Sequence, residues 1–120
     1  MLVFDVNVEQ SFDRLRFWRE QFIFHANVES VEDFPFIVIA NKTDMPVTER
    51  AVSRESLIEF ARSNGNLPFV ETSAKTCAGV SEAFETLVSR ILLNKHRTEL
   101  QPTHDHLQEL DLPVSKSPCC

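Results

Sequence analysis

Apolar and polar residues follow one another along residues 1–95 in a pattern that predicts alternating strands and helices. Three runs rich in strand-forming residues, at 1–6, 34–41 and 68–74, each precede a segment with apolar residues at helical spacing. The middle run, FPFIVIAN, is apolar on both faces, which is typical of a parallel strand covered on both sides. The order β-α-β-α-β-α favours parallel strands joined by right-handed crossovers. The sequence therefore predicts an α/β fold with three parallel strands and three helices.

The three helical segments carry apolar stripes that we expect to face the core. The stripes are Phe12, Leu15, Trp18 and Phe22, then Leu57, Ile58, Phe60 and Ala61, then Val80, Phe84, Leu87, Val88, Ile91 and Leu92. Ser11 and Ser53 are the predicted N-caps of the first two helices. Gly65 is predicted to end the second helix, because glycine commonly follows a helix C-terminus.

The composition changes after Lys95. Residues 96–120 contain three prolines, no glycine and few bulky apolar residues, which predicts a flexible tail. The predicted organisation is thus one domain at 1–95 and a tail at 96–120. The net charge of −6 argues against nucleic acid as a partner. The chain contains three cysteines, too few for a disulfide framework, and this indicates a cytosolic protein.

Two polar loops follow the second and third predicted strands. NKTD begins at Asn41, and ETSAK ends at Lys75. Open α/β sheets bind ligands at the carboxyl ends of their strands, so both loops point to one site. Guanine offers two parallel N–H donors, which the carboxylate of Asp44 could accept together. Adenine lacks this pair and would leave the carboxylate unpaired.

The remaining loop residues suit the other edges of the same base. A backbone N–H near Ala74 could donate to the guanine O6 atom, and the alkyl stems of Lys42 and Lys75 could cover the flat faces. Asn41 could brace one loop against the other, because its amide both donates and accepts. The alternative for NKTD alone is ordinary turn chemistry. A Ser-Ala-Lys run after the next strand makes that alternative much weaker.

These two loops resemble the guanine-recognition half of the Ras superfamily of small GTPases. LVFDV, SFDRLRFWREQF, FPFIVIANKTD, PFVETSAK and the terminal Cys-Cys together resemble the Rab family, and its late-endosomal branch most closely. The resemblance implies a small-GTPase (P-loop NTPase-like) fold and a guanine site made by Asn41, Lys42, Asp44, Ser73, Ala74 and Lys75. It also implies a GTP/GDP-binding switch in vesicle trafficking, with GTP or GDP as ligand and Mg²⁺ as cofactor.

The motifs with which the family holds phosphates and hydrolyses GTP are absent from these residues. Neither Gly65 nor Gly79 belongs to a G-x-x-x-x-G-K-[ST] loop or a D-x-x-G motif. The water-orienting glutamine and the Mg²⁺ ligands have no counterparts either. We therefore assign no catalytic and no metal-binding residue, and we expect weak nucleotide binding and no hydrolysis by these residues alone. Effectors and regulators are expected partners only together with the family's N-terminal half.

The family's sheet order implies that the first strand of this chain normally has a neighbour on each side. Without that neighbour we expect an edge with Leu2, Val3, Phe4 and Val6 exposed, and a marginal or aggregation-prone domain. The terminal Cys119 and Cys120 resemble the Rab double-geranylgeranylation signal. Two lipid chains would anchor the protein to a membrane, whereas one is marginal. This implies prenylation enzymes as partners and the cytosolic face of late-endosomal or Golgi membranes as the location.

Two other hypotheses remain open. The chain could be a short isoform without GTPase activity that competes for the prenylation machinery, or an incomplete gene product without a separate function. An unrelated doubly wound nucleotide-binding domain is disfavoured by the pairing of NKTD with TSAK.

Overall fold

The computed structural model describes residues 1–28 and 30–98. Strands and helices alternate in the order β1 (Leu2–Asp5), α1 (Glu9–His25), β2 (Val38–Asn41), α2 (Arg54–Ser63), β3 (Phe69–Glu71) and α3 (Val80–Thr98), with a short 3-10 helix at Val47–Glu49 before α2. The predicted α/β class and the order of its elements are confirmed. Each strand is shorter than the run of residues that predicted it, because the runs include residues that lie outside the paired ladder.

The strands form a parallel sheet in the order β1-β2-β3. In register, Asp5 lies beside Asn41, and Ala40 lies beside Glu71. The carboxyl ends of the strands therefore meet at one edge of the sheet. This edge is where the sequence predicted a ligand site.

Strand β2 and the residues just before it bury side chains on both faces of the sheet, as predicted. Val38 and Ala40 belong to a cluster on one face, while Ile37 and Ile39 belong to a second cluster with Val70 and Ala83. All four residues from 37 to 40 are at most 6% exposed. Burial on both faces explains why this run lacks the alternation of a half-exposed strand.

Strand β1 is at the edge of the described sheet, but the prediction that its apolar side chains are exposed is wrong for most of them. Leu2, Phe4 and Val6 are buried, and only Val3 of the four is exposed, at 55%. Alternate side chains of a strand point to opposite faces. The three buried ones share a face packed under the helices, where the ring of Phe12 lies 5.0 Å from that of Phe4.

The apolar stripes of α1 and α3 are largely exposed, contrary to the prediction. In α1 only Leu15 is buried, while Trp18 and Phe22 are 55% and 45% exposed. In α3 the exposed stripe residues are Phe84, Val88, Ile91 and Leu92. Strands of three or four residues offer a narrow surface, so each helix covers it with only part of its stripe. Helix α2 buries Leu57 and Ala61, as predicted, but Ile58 of the same stripe is 40% exposed.

The helix ends confirm one predicted cap and contradict another. Ser53 caps α2, since its Oγ accepts the N–H of Ser56 at 3.1 Å. Helix α1 instead begins after Val8 with no side-chain cap. Ser11 lies inside its first turn, where its Oγ accepts the N–H of Asp5 at 3.0 Å. The serine is used to tie the end of β1 to the helix.

The end of α2 agrees with the sequence, and the tail stays a prediction. Gly65 lies just beyond Ser63 with φ of +88°, in the left-handed region that glycine adopts without strain. The predicted lipidation residues Cys119 and Cys120 lie outside the described residues, as does most of the predicted tail. Within the described ranges, no helix is long and apolar enough to cross a membrane.

Candidate nucleotide-base site

Two loops meet at the carboxyl-end edge of the sheet: the NKTD loop, residues 41–45, and the TSAK loop, residues 72–78. They are joined through the carbonyl of Thr72, which accepts the N–H of Thr43 at 3.1 Å and its Oγ1–H at 3.0 Å. The N–H of Thr72 donates to the carbonyl of Ala40 at 2.8 Å. Thr43 has no role predicted from the sequence, yet both its backbone and its hydroxyl fasten the two loops together.

Asn41 braces the NKTD loop against the TSAK loop. Its Oδ1 accepts hydrogen bonds from the Thr72 hydroxyl at 3.2 Å and from the Ala74 N–H at 3.1 Å. The bracing expected from the sequence is therefore present in the structure. The Ala74 N–H, predicted to donate to guanine O6, here donates to Asn41, so a bound base would share or displace that bond.

The carboxylate of Asp44 is held by the TSAK loop. Its Oδ1 accepts the Ser73 hydroxyl at 2.7 Å, and its Oδ2 lies 3.8 Å from the Lys75 ammonium. The side chain is 14% exposed, although the residue as a whole is exposed because its backbone faces solvent. Ser73 is 1% exposed and also accepts the Thr76 N–H at 3.1 Å, so its position is fixed.

The same contacts favour the ionised form of the Asp44 carboxyl group. The hydrogen bond from Ser73, and more weakly the charges of Lys75 and Lys42, lower the pKa of Asp44 below its usual value of 3.8. At neutral pH the group is ionised and only accepts hydrogen bonds. Such a group suits a ligand edge that presents two donors, and it disfavours one that presents an acceptor.

The side chains of the two lysines of the site differ in their contacts. The Lys75 side chain is 80% exposed and makes a long contact with Asp44. The Lys42 ammonium lies 2.7 Å from Asp5 Oδ2, and this contact raises the pKa of Lys42. Sequence reasoning missed Asp5, although its position at the end of a strand on the same sheet edge was a signal that could have found it.

Gly79 allows the TSAK loop to return to the sheet. Its φ is +68°, and a Cβ at this position would lie 2.3 Å from the backbone oxygen of Glu71. The N–H of Ser73 donates to the carbonyl of Ala78 at 2.9 Å and closes the loop. No larger residue fits here without movement of the backbone, a requirement that the sequence pattern does not indicate.

The comparison with known proteins identifies the family. The model of the Ras family matches residues 1–93. The chain belongs to the Ras family. The chain is similar to the Ras-related protein Rab-9A of Mus musculus, with 40% identity over 120 residues, and to the Ypt/Rab-type GTPase ypt7 of Schizosaccharomyces pombe, with 36% identity over 119 residues. These relatives confirm the resemblance to Rab proteins, and the structure is a partial small-GTPase domain.

The alignments cover nearly all of this chain but not all of its relatives. They span 100% of the chain and 59% of the mouse Rab-9A, and 99% of the chain and 58% of the yeast ypt7. A Ypt/Rab-type GTPase Rab7 of Neurospora crassa matches at 39% identity over 82% of the chain and 48% of its own length. The chain thus spans somewhat more than half the length of the first two relatives.

The Ras family, to which the chain belongs, binds guanine nucleotides together with Mg²⁺. Among the described side chains, those of residues 1–28 and 30–95, no group of three or more His, Cys, Asp or Glu could hold a metal ion. The nearby carboxylates of Asp5 and Asp44 are each paired with a lysine. The described residues therefore do not fit the ion.

Proposed function

We propose that this edge of the sheet recognises the guanine base of GTP or GDP. The observation that carries the proposal is the Asp44 carboxylate, which is ionised, 14% exposed and oriented by a buried hydroxyl. A carboxylate fixed in this way can accept the N1–H and N2–H of guanine together. Adenine would place an acceptor against it, and that mismatch favours guanine.

The other predicted residues complete the site around Asp44. The Ala74 N–H would donate to O6, and Asn41 would keep the two loops at the spacing of the base. The stems of Lys42 and Lys75 would lie against its two faces. Ser73 would act on the carboxylate rather than on the base, because its hydroxyl is already bonded to Asp44.

We further propose that the site serves a Rab-type switch between GTP-bound and GDP-bound states in vesicle trafficking. Family membership and the Rab relatives support this. The proposed location is the cytosolic face of late-endosomal or Golgi membranes, with Cys119 and Cys120 as the lipidated residues. Prenylation enzymes, effectors and regulators are the proposed partners, the last two in a protein that also carries the family's phosphate-binding half.

For the 120 residues alone we propose a weaker activity. Their sequence contains no G-x-x-x-x-G-K-[ST] loop, so the phosphates would have no cradle of backbone N–H groups. One bidentate contact and two stacked stems would give an affinity no tighter than about millimolar, without hydrolysis. The alternatives are a short isoform that competes for prenylation enzymes and an incomplete gene product. The mass of the endogenous protein would separate both from a full GTPase.

The guanine site can be tested by titrating GMP and AMP into the ¹⁵N-labelled chain and following amide shifts by NMR. We expect GMP to shift the signals of Asp44 and Ala74, with AMP binding at least tenfold more weakly. Asp44→Asn should remove this preference, because the amide presents a donor to a donor edge. Asp13→Asn, an exposed substitution of the same kind on α1, is the matched control.

Two outcomes would contradict the proposal. One is equal binding of GMP and AMP by the unaltered chain. The other is an unchanged GMP preference in the Asp44→Asn chain, which would place the discrimination elsewhere. Tight nucleotide binding that requires Mg²⁺ would contradict the narrower claim that these residues bind only the base.

A further inference from the structure

Asp5 lies outside both loops but contacts one of their lysines. It is the last residue of β1 and pairs in register with Asn41, the residue before Lys42. Its Oδ2 is 2.7 Å from the Lys42 ammonium. The Asp5 side chain is 17% exposed, whereas that of Lys42 is 60% exposed. Strand β1 therefore also contributes a charged group to the edge where the base site lies.

Hydrogen bonds that do not involve Lys42 hold the Asp5 carboxylate in place. Its Oδ1 accepts the backbone N–H of Asn7 at 3.0 Å and the Asn7 side-chain N–H at 3.1 Å. The backbone N–H of Asp5 donates to Ser11 Oγ at 3.0 Å, which ties the end of the strand to α1. An acceptor fixed by these bonds is a defined anchor and differs from a mobile surface carboxylate.

The anchor limits the conformations of Lys42. The backbone of Lys42 has φ of +68°, and the Lys42 side chain reaches from the end of β2 to the end of β1. An unpaired lysine would lose substantial rotamer freedom on contact with a ligand, at a cost that falls on binding. Exposed ion pairs contribute little to folding stability, so the effect of this pair is mainly on position.

We propose that Asp5 is a positioning residue that holds the alkyl stem of Lys42 as one wall of the base site. This rests on the proposed guanine recognition. In this arrangement the ammonium is engaged by Asp5, so Lys42 contributes its stem to the base rather than its charge to a phosphate. Asp5 acts through Lys42 and makes no contact with the ligand.

The test is a double-mutant cycle on the full chain with GMP as the probe. Asp5→Asn should weaken GMP binding about three- to tenfold, the range expected when a long side chain is ordered during binding instead of before it. In a chain that already carries Lys42→Met, Asp5→Asn should have no further effect. Asp5→Glu should restore part of the affinity, and Asp13→Asn should change nothing.

A second measurement needs no ligand. NMR relaxation of the Lys42 side-chain carbons should show an ordered side chain in the unaltered chain and a mobile one after Asp5→Asn, while dispersed amide signals confirm that the variant is folded. A Lys42 side chain that is equally mobile in both overturns the inference. So does a loss of GMP affinity that persists in the Lys42→Met background, because that would be a general structural effect.

The two measurements separate this inference from the proposed function. If the unaltered chain binds no GMP although Lys42 is ordered by Asp5, the guanine site is contradicted and the ordering of Lys42 stands. If GMP binds with guanine preference but Asp5→Asn binds equally well, the guanine site stands and the role of Asp5 is overturned.

Discussion

The loop edge of the sheet and the outer faces of α1 and α3 are built in opposite ways. At the edge, hydrogen bonds of 2.7–3.2 Å connect Asn41, Thr43, Asp44, Thr72 and Ser73. On the helices, large apolar side chains are open to solvent, with Phe24 74% and Leu93 68% exposed. Directional polar bonds thus define the site, whereas non-directional apolar packing covers the helices only where the small sheet reaches them.

The contrast between the loop edge and the helix faces indicates that the site does not depend on full burial of the helices. Its bonds join residues in two loops and at the ends of three adjacent strands. Helix α1 instead leaves four aromatic side chains exposed, and exposed apolar side chains of this size favour association: Phe17, Trp18, Phe22 and Phe24. This agrees with the predicted tendency of the chain to aggregate, which remains a prediction.

Gly79→Ala should distort the loop edge and lower the stability of the chain more than the other substitutions. The added Cβ would lie 2.3 Å from the Glu71 backbone oxygen, and φ of +68° adds strain. We expect a loss of about 3–4 kcal/mol in the free energy of unfolding, measured by urea denaturation. Gly65→Ala is the control, because φ is also positive but no atom lies within 4 Å, and it should cost about 1 kcal/mol. Equal losses would contradict the close approach at Gly79.

Two substitutions on α1 should sharpen the contrast between its faces. Leu15 is 1% exposed, and Leu15→Ala should destabilise the chain by about 3 kcal/mol. Phe24→Ala removes a larger side chain but should change stability by less than about 0.5 kcal/mol, since the ring is already in water. It should also reduce self-association in sedimentation velocity. A large loss of stability from Phe24→Ala would show that this face is buried in solution.

The smallest effect concerns pH. The pKa values of Asp5 and Asp44 are lowered below 3.8, the first chiefly by Lys42 and the second chiefly by Ser73. Their stabilising contribution is therefore fully present above about pH 4 and is lost as the pH falls through the lowered pKa values. NMR titration of the side-chain carboxyl carbons measures them directly. A measured pKa of Asp44 above 3.8 would contradict the Ser73 contact.

The sequence predicted the chemistry of the site better than its packing. Asn41, Lys42, Asp44, Ser73, Ala74 and Lys75 all lie at the predicted edge, because parallel strands place their following loops on the same side. Their binding role stays a prediction. The stripes of α1 and α3 were predicted to be buried, but a helical period shows which residues share a face and does not show how much surface a neighbour offers.

Ser11 shows the same limit at the level of a single residue. Serine before an apolar helical stripe is a typical N-cap, yet here its hydroxyl bonds to Asp5, a partner outside the helix. A local sequence pattern indicates which hydrogen bonds a side chain is able to make. Which of several nearby groups it meets depends on the course of the backbone.

The order of the elements, the apolar centre of the sheet and the residue types of the base site follow from the amino-acid sequence, since each depends on neighbours along the chain. The pairing of Asp5 with Lys42, the fastening by Thr43 and the need for glycine at position 79 were decided by the tertiary structure. These contacts join residues in different strands and loops, and their geometry exists only after the strands have paired.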